Sequence, residues 1–134
     1  MSSTPNYYQP IMPYLVLNDA TEFIEFAKAV FGAEEKMVVR NDDGSIMHAE
    51  IGLNGGTIML GDAGETWPPF PAPMYLPTEA VDELYRRGVE NGAEGNMEPQ
   101  DKHYGRAAGF KDRWGNQWWL NTPEDRFSAD SEIS

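Results

Sequence analysis

The chain has no cysteine. It can build no disulfide framework and no thiolate chemistry, and the cytoplasm is its default compartment. Positive charge is also short: 10 Lys and Arg stand against 22 Asp and Glu, a formal net charge of −12. That balance argues against a nucleic-acid partner, whose phosphates would be repelled, and points instead to solubility. No apolar run approaches the roughly 20 residues of a membrane span. The start, Met1-Ser2-Ser3-Thr4-Pro5, has neither the basic residues nor the apolar stretch of a signal peptide, so no membrane partner is expected. Histidine occurs only as His48 and His103. A Gly-rich phosphate loop, a Gly-x-Ser-x-Gly elbow and a His-Glu-x-x-His helix are all missing.

What the chain does have is repetition. Gly32-Ala33-Glu34 recurs as Gly92-Ala93-Glu94, sixty residues on. At the same offset Gly55-Gly56-Thr57-Ile58-Met59-Leu60 aligns with Gly115-Asn116-Gln117-Trp118-Trp119-Leu120. Two markers at one offset indicate one unit written twice, and the seam between copies is a natural place for a pocket.

The local patterns agree. Ile11 to Leu17 is an apolar run that reads as a strand. Asp19, with Glu22 three residues on, predicts a capping box for a helix in which Ala20, Phe23, Ile24, Ala27 and Val30 repeat at helical spacing. Gly32 suits the left-handed end of that helix. Strands follow over 35–40, 46–53 and 57–61, separated by Asn41-Asp42-Asp43-Gly44 and Asn54-Gly55-Gly56. The second half repeats the order. A strand over 74–76 leads to a helix capped by Thr78, with Val81, Leu84, Tyr85 and Gly88 as its stripe. Strands over 94–98, 104–110 and 117–121 complete it. The expected division is a loose arm over 1–10, a first module over 11–62, a proline-rich connector over 63–73, a second module over 74–122 and an acidic flexible tail over 123–134. The fold class is α+β: two tandem βαβββ modules forming a curved mixed sheet around a central cleft, with helices outside.

A doubled βαβββ with Asp-x-x-Gly-Asn ahead of its last strand resembles the vicinal oxygen chelate superfamily, which includes glyoxalase I, extradiol dioxygenases and bleomycin-resistance proteins. Pro13-Tyr14-Leu15-Val16-Leu17-Asn18-Asp19, Met47-His48-Ala49-Glu50 and Asp112-Arg113-Trp114-Gly115-Asn116-Gln117-Trp118 resemble its PhnB-like subgroup. The resemblance implies a homodimer. It also implies four metal-ligand positions, which fall here on Met12, Met59, Pro73 and Trp119. None of these is an imidazole or a hard oxygen donor, so the family's usual divalent metal is not expected there.

Alternation along Ile46 to Leu53 puts Met47, Ala49, Ile51 and Leu53 on a face packed under the helices, and Ile46, His48, Glu50 and Gly52 on the concave one. His48 and Glu50, at i and i+2, are the candidate acid–base pair. The offset of sixty carries Arg106, Ala108 and Phe110 to the same face of the second half. Arg106 is read either as an anchor for a ligand anion or as the partner of Glu50. Tyr14, Tyr75, Phe110 and Trp119 would wall a cavity for an apolar or aromatic molecule, with Trp118 turned the other way for packing. Trp67 and Phe70 close a cavity, pack in a dimer interface, or sit in a bare loop. Two functions remain open. One is metal-free binding of a small apolar or aromatic molecule. The other is a lyase, isomerase or related activity run by His48 and Glu50, with or without a metal at a shifted site.

Overall fold

The computed structural model describes residues 4–124. The elements run β1 (Tyr14–Leu17), α1 (Ala20–Phe31), β2 (Glu34–Arg40), β3 (Ile46–Leu53), β4 (Gly56–Asp62), β5 (Pro73–Pro77), α2 (Val81–Glu90), β6 (Glu94–Lys102), β7 (Gly105–Lys111) and β8 (Gln117–Pro123). The strands form two four-stranded sheets of one topology, β1-β4-β3-β2 and β5-β8-β7-β6. In each, the first strand pairs parallel with the last and the other pairs are antiparallel. The chain divides between Pro71 and Ala72 into two compact units. The tail from residue 125 onward lies outside the described residues.

In the first module, β1 begins three residues later than the apolar run. Pro10 and Pro13 lack the N–H that a strand needs, although Pro13 still offers its carbonyl to the Met59 N–H at 3.0 Å. Helix α1 buries Phe23, Ile24, Ala27 and Val30 as its spacing predicts, and Gly32 closes it at φ 70°. The capping box does not form. Asp19 adopts φ 55° and its side chain makes no cap. Asp62, at the end of β4, does the work instead. Its Oδ1 accepts the Ala20 N–H at 2.9 Å and its Oδ2 accepts the Ile46 N–H at 2.7 Å. One carboxylate thus ties the start of α1 to the start of β3. The pairing of β2 with β3 skips Met47, since Val39 faces His48 and Arg40 faces Ile46. This bulge turns Ile46 inward, where it is 1% exposed, and Met47 outward, where it is 56% exposed. Both are the reverse of strict alternation.

In the second module, Thr78 accepts the N–H of Ala80 rather than capping α2 from inside, and the helix has no side-chain cap. Gly88 is there for space: a Cβ on it would lie 2.4 Å from the Phe110 ring. Asp112 is 2% exposed. Its carboxylate accepts from the Trp114 and Asn116 backbones, the Asn116 side chain and the Trp118 indole at 2.9–3.0 Å. The Asp-x-x-Gly-Asn signature is therefore a turn-building device. Edge strand β6 runs on to Lys102 and absorbs Pro99 at a register shift between Met97 and Gln100.

The two β-hairpins break the offset of sixty. In the first module Asn54 and Gly55, both at positive φ, make a two-residue turn between Leu53 and Gly56. In the second, residues 112–116 lie between Lys111 and Gln117. Glu50 consequently pairs with Met59, whereas Gly109, not Phe110, pairs with Trp119. Strand β3 maps onto β7 at an offset of 59, while β4 maps onto β8 at 60. A slip of one residue turns every side chain over. Phe110 thus belongs to the core beneath α2, 0% exposed, and not to a ligand-facing wall. The positions matching His48 and Glu50 are Ala107 and Gly109.

Candidate functional site

The polar chemistry of the first module gathers on Glu50. Its side chain is fully buried in the middle of β3, beside Met59 of β4 and Met37 of β2. His48 Nε2 donates to Glu50 Oε2 at 2.7 Å, the i, i+2 contact that the alternation predicts. The other donors come from the N-terminal arm. Tyr7 donates its hydroxyl to Oε1 at 2.9 Å and Tyr8 donates to Oε2 at 2.5 Å. The arm is read from sequence as loose, yet it is stitched down further. Gln9 Oε1 accepts the Thr57 N–H at 2.5 Å, and the Thr57 hydroxyl donates to the Tyr7 carbonyl at 2.8 Å.

Burial pushes the Glu50 carboxyl up. The hydrogen bonds from Tyr8, His48 and Tyr7, with the charge His48 can carry, outweigh it and hold the group below its ordinary range. The Tyr8 hydroxyl, bonded to that carboxylate, is pushed up to about 12 by it. Tyr7 is raised for the same reason.

On its far side His48 meets Tyr14, whose hydroxyl lies 3.0 Å from Nδ1. Tyr14 belongs to a hollow of about 370 Å³ walled also by Val16, Met47, Gly61, Asp62, Trp67 and Phe70. The proline-rich connector supplies the last two. It reaches β1 through the Phe70 N–H, which donates to Val16 O at 3.1 Å. Gly61 keeps the floor low: a Cβ on it would lie 2.9 Å from the Met47 carbonyl and 3.5 Å from the Tyr14 hydroxyl. A larger hollow of about 480 Å³ lies between the arm and the 52–57 hairpin. It includes Lys36, already paired with Glu34, and Tyr7 and Tyr8, whose hydroxyls are spent on Glu50; neither hollow is lined by His48 or Glu50 themselves, and the smaller one has the aromatic and aliphatic wall.

In the second module Tyr75 and Trp119 are register partners, 58% and 45% exposed. The Tyr75 hydroxyl donates to Asn121 at 2.5 Å. Trp118 is buried on the opposite face. Arg106 is engaged within its own module rather than left open as an anchor for a ligand anion. Its guanidinium forms a two-pronged contact with Asp82 of α2 at 2.9 and 2.7 Å, and touches Asp101 at 3.2 Å. His103 and Tyr104 form the turn between β6 and β7, ring against ring at 5.1 Å. Of the four metal positions implied by the family, Met59 sits between Tyr14 and Glu50 in the sheet and Trp119 beside Tyr75. A thioether, an indole and a proline do not make a divalent-metal donor set.

Sequence reasoning misses Tyr7, Tyr8, Gln9, Asp62 and the outward Met47. The only signal in the arm is the pair of tyrosines itself, since isolated aromatics in a polar stretch have no period to read.

Comparison with known proteins agrees with the architecture. The chain is 29% identical over 137 aligned residues to an uncharacterized protein of Mycobacterium tuberculosis, covering 93% of this chain and 81% of that one. Among solved structures, TioX from Micromonospora sp. ML1 superposes with a TM-score of 0.73 at 23% identity, covering 87% of this chain and 99% of that one. A PhnB protein from Bacillus cereus gives 0.67 at 20%, covering 85% and 99%. The fosfomycin resistance protein FosX from Listeria monocytogenes gives 0.67 at 18%, covering 93% and 98%. The model of the Glyoxalase/Bleomycin resistance protein/Dioxygenase superfamily matches residues 8–120. With that match running from ahead of β1 into β8, the chain belongs to the glyoxalase/bleomycin resistance/dioxygenase superfamily, the vicinal oxygen chelate proteins.

Proposed function

We propose that the protein binds a small apolar or aromatic molecule in the hollow of its first module, without a metal at the family's four positions. The observation that carries this reading is the hollow itself: Tyr14, Trp67, Phe70, Val16 and Met47 around about 370 Å³, a volume within the range of small-molecule sites. Aromatic and aliphatic walls gain by burying flat apolar surface. FosX of Listeria monocytogenes is described as a complex with Mn(II) and sulfate. Met12, Met59, Pro73 and Trp119 give this chain no comparable donors, which supports a metal-free site.

A second reading has its own support. Tyr14, His48 and Glu50 form a continuous hydrogen-bonded chain from the hollow to a buried carboxylate. Such a chain can take a proton at Tyr14 or His48 while Glu50 steadies the resulting charge. A lyase or isomerase would use it so. The test is a thermal-shift screen of small aromatics and drug-like compounds on wild type and His48→Ala. Binding expects hits that raise the melting temperature of both proteins, with the compounds recovered unchanged. Compounds consumed by wild type and spared by His48→Ala would establish the enzyme instead.

The same proposal includes a homodimer. Met37, Val39 and Met47 are 38%, 41% and 56% exposed on neighbouring strands, an apolar surface suited to a second copy. Sedimentation equilibrium at micromolar concentration is expected to give twice the chain mass of 15.0 kDa.

A further inference from the structure

The hydrogen-bond chain in the first module has a direction, and the direction constrains the ligand. An ionised carboxylate only accepts. Glu50 is one, surrounded by Tyr7, Tyr8 and His48, so His48 Nε2 must carry the proton it shares with Oε2. A neutral imidazole with its proton on Nε2 has a lone pair on Nδ1. Were both ring nitrogens protonated, Nδ1 would donate to Tyr14; with His48 neutral, the Tyr14 hydroxyl donates to Nδ1. Its hydrogen is committed, and only its lone pairs are left for the hollow. The hydroxyl stands over Gly61, which lines the hollow with Tyr14.

The rest of the wall has the same sense. Asp62 contributes a carboxylate whose two oxygens already accept the Ala20 and Ile46 amides and cannot donate. Among the lining side chains the single donor is the neutral indole N–H of Trp67, and among the described residues the wall holds no lysine or arginine. The formal charge of −12 adds a field that repels anions.

We propose that the hollow selects flat apolar molecules that carry a hydrogen-bond donor at their edge, a hydroxyl or an amine, and rejects carboxylates of the same shape. This rests on the reading of the hollow as a binding site and goes further, since aromatic walls alone would not distinguish these ligands. Tyr14 is the specificity-determining residue, and Tyr7 and Tyr8 act through Glu50 and His48 as positioning residues.

The experiment is isothermal titration of the full chain with four probes on one scaffold: naphthalene, 2-naphthol, 2-naphthylmethylammonium and 2-naphthoate. Wild type is expected to bind the naphthol and the ammonium about three- to tenfold more tightly than naphthalene, the gain of one hydrogen bond. Naphthoate is expected to bind most weakly. Tyr14→Phe is expected to bring the naphthol level with naphthalene, read as the ratio of the two affinities within the variant. Naphthoate binding as tightly as the naphthol overturns the proposal, as does a naphthol preference that survives in Tyr14→Phe. The ranking on wild type stands by itself should the variant fold poorly. If none of the four binds, the binding reading falls and takes this one with it. If naphthalene binds but the order is reversed, only the ligand class falls.

Discussion

Glu50 is a carboxylate placed where a carboxylate is costly, fully buried in the middle of a sheet, and three donors make the placement tolerable. Removing it with Glu50→Ala leaves those donors without their acceptor and is predicted to cost roughly 1–3 kcal/mol of folding stability, measured by urea denaturation. The pH dependence follows from the lowered carboxyl. A group whose folded value lies below its unfolded one stabilises the fold above the unfolded value, about 4.3 for glutamate. That contribution is lost as pH falls through the folded value. Melting temperature is therefore expected to fall more steeply below about pH 4.3 in wild type than in Glu50→Gln. At this scale the sequence was partly legible. His48 and Glu50 could be paired because strand alternation is regular from His48 to Leu53. Tyr7 and Tyr8 could not, because an arm with no period does not say what it lies against.

Among the elements, glycine and aspartate positions decide more than propensity does. Gly88 sits inside α2, where alanine would ordinarily stabilise a helix by about 1 kcal/mol. The Phe110 ring occupies the place of the added methyl. Gly88→Ala is predicted to be net destabilising, by roughly 1–3 kcal/mol from overpacking; a variant more stable than wild type in denaturant would contradict the packing described. Asp62→Ala removes the acceptor for two backbone amides, Ala20 and Ile46, and is predicted to cost about 1–2 kcal/mol, as loss of a good helix cap does. Asp19→Ala, which removes no cap bond, is expected to cost less. The helix and strand order was readable from period and punctuation. The caps were not, because the residue that satisfies Ala20 lies 42 positions away in sequence.

For the whole molecule, the duplication was legible and its register was not. Both modules have the expected βαβββ order of elements, and the superfamily follows from a match that reaches into both modules. The slip from 60 to 59 between β3 and β7 has a local cause, a two-residue turn in one hairpin and the Asp112 turn in the other. Nothing in the apolar pattern of Gly105 to Lys111 announces it, because alanine and glycine fit either face. The consequence is an asymmetric pair of modules. The first keeps His48 and Glu50 beside an aromatic hollow; the second carries Ala107 and Gly109 at the equivalent places. The proposed binding function is thereby a property of the first module, and chemical-shift mapping tests that proposal most directly. On titrating ¹⁵N-labelled protein with 2-naphthol, amide shifts are predicted to move at Tyr14, Val16, Met47, Trp67 and Phe70. Shifts confined to the surroundings of Tyr75 and Trp119 would contradict it.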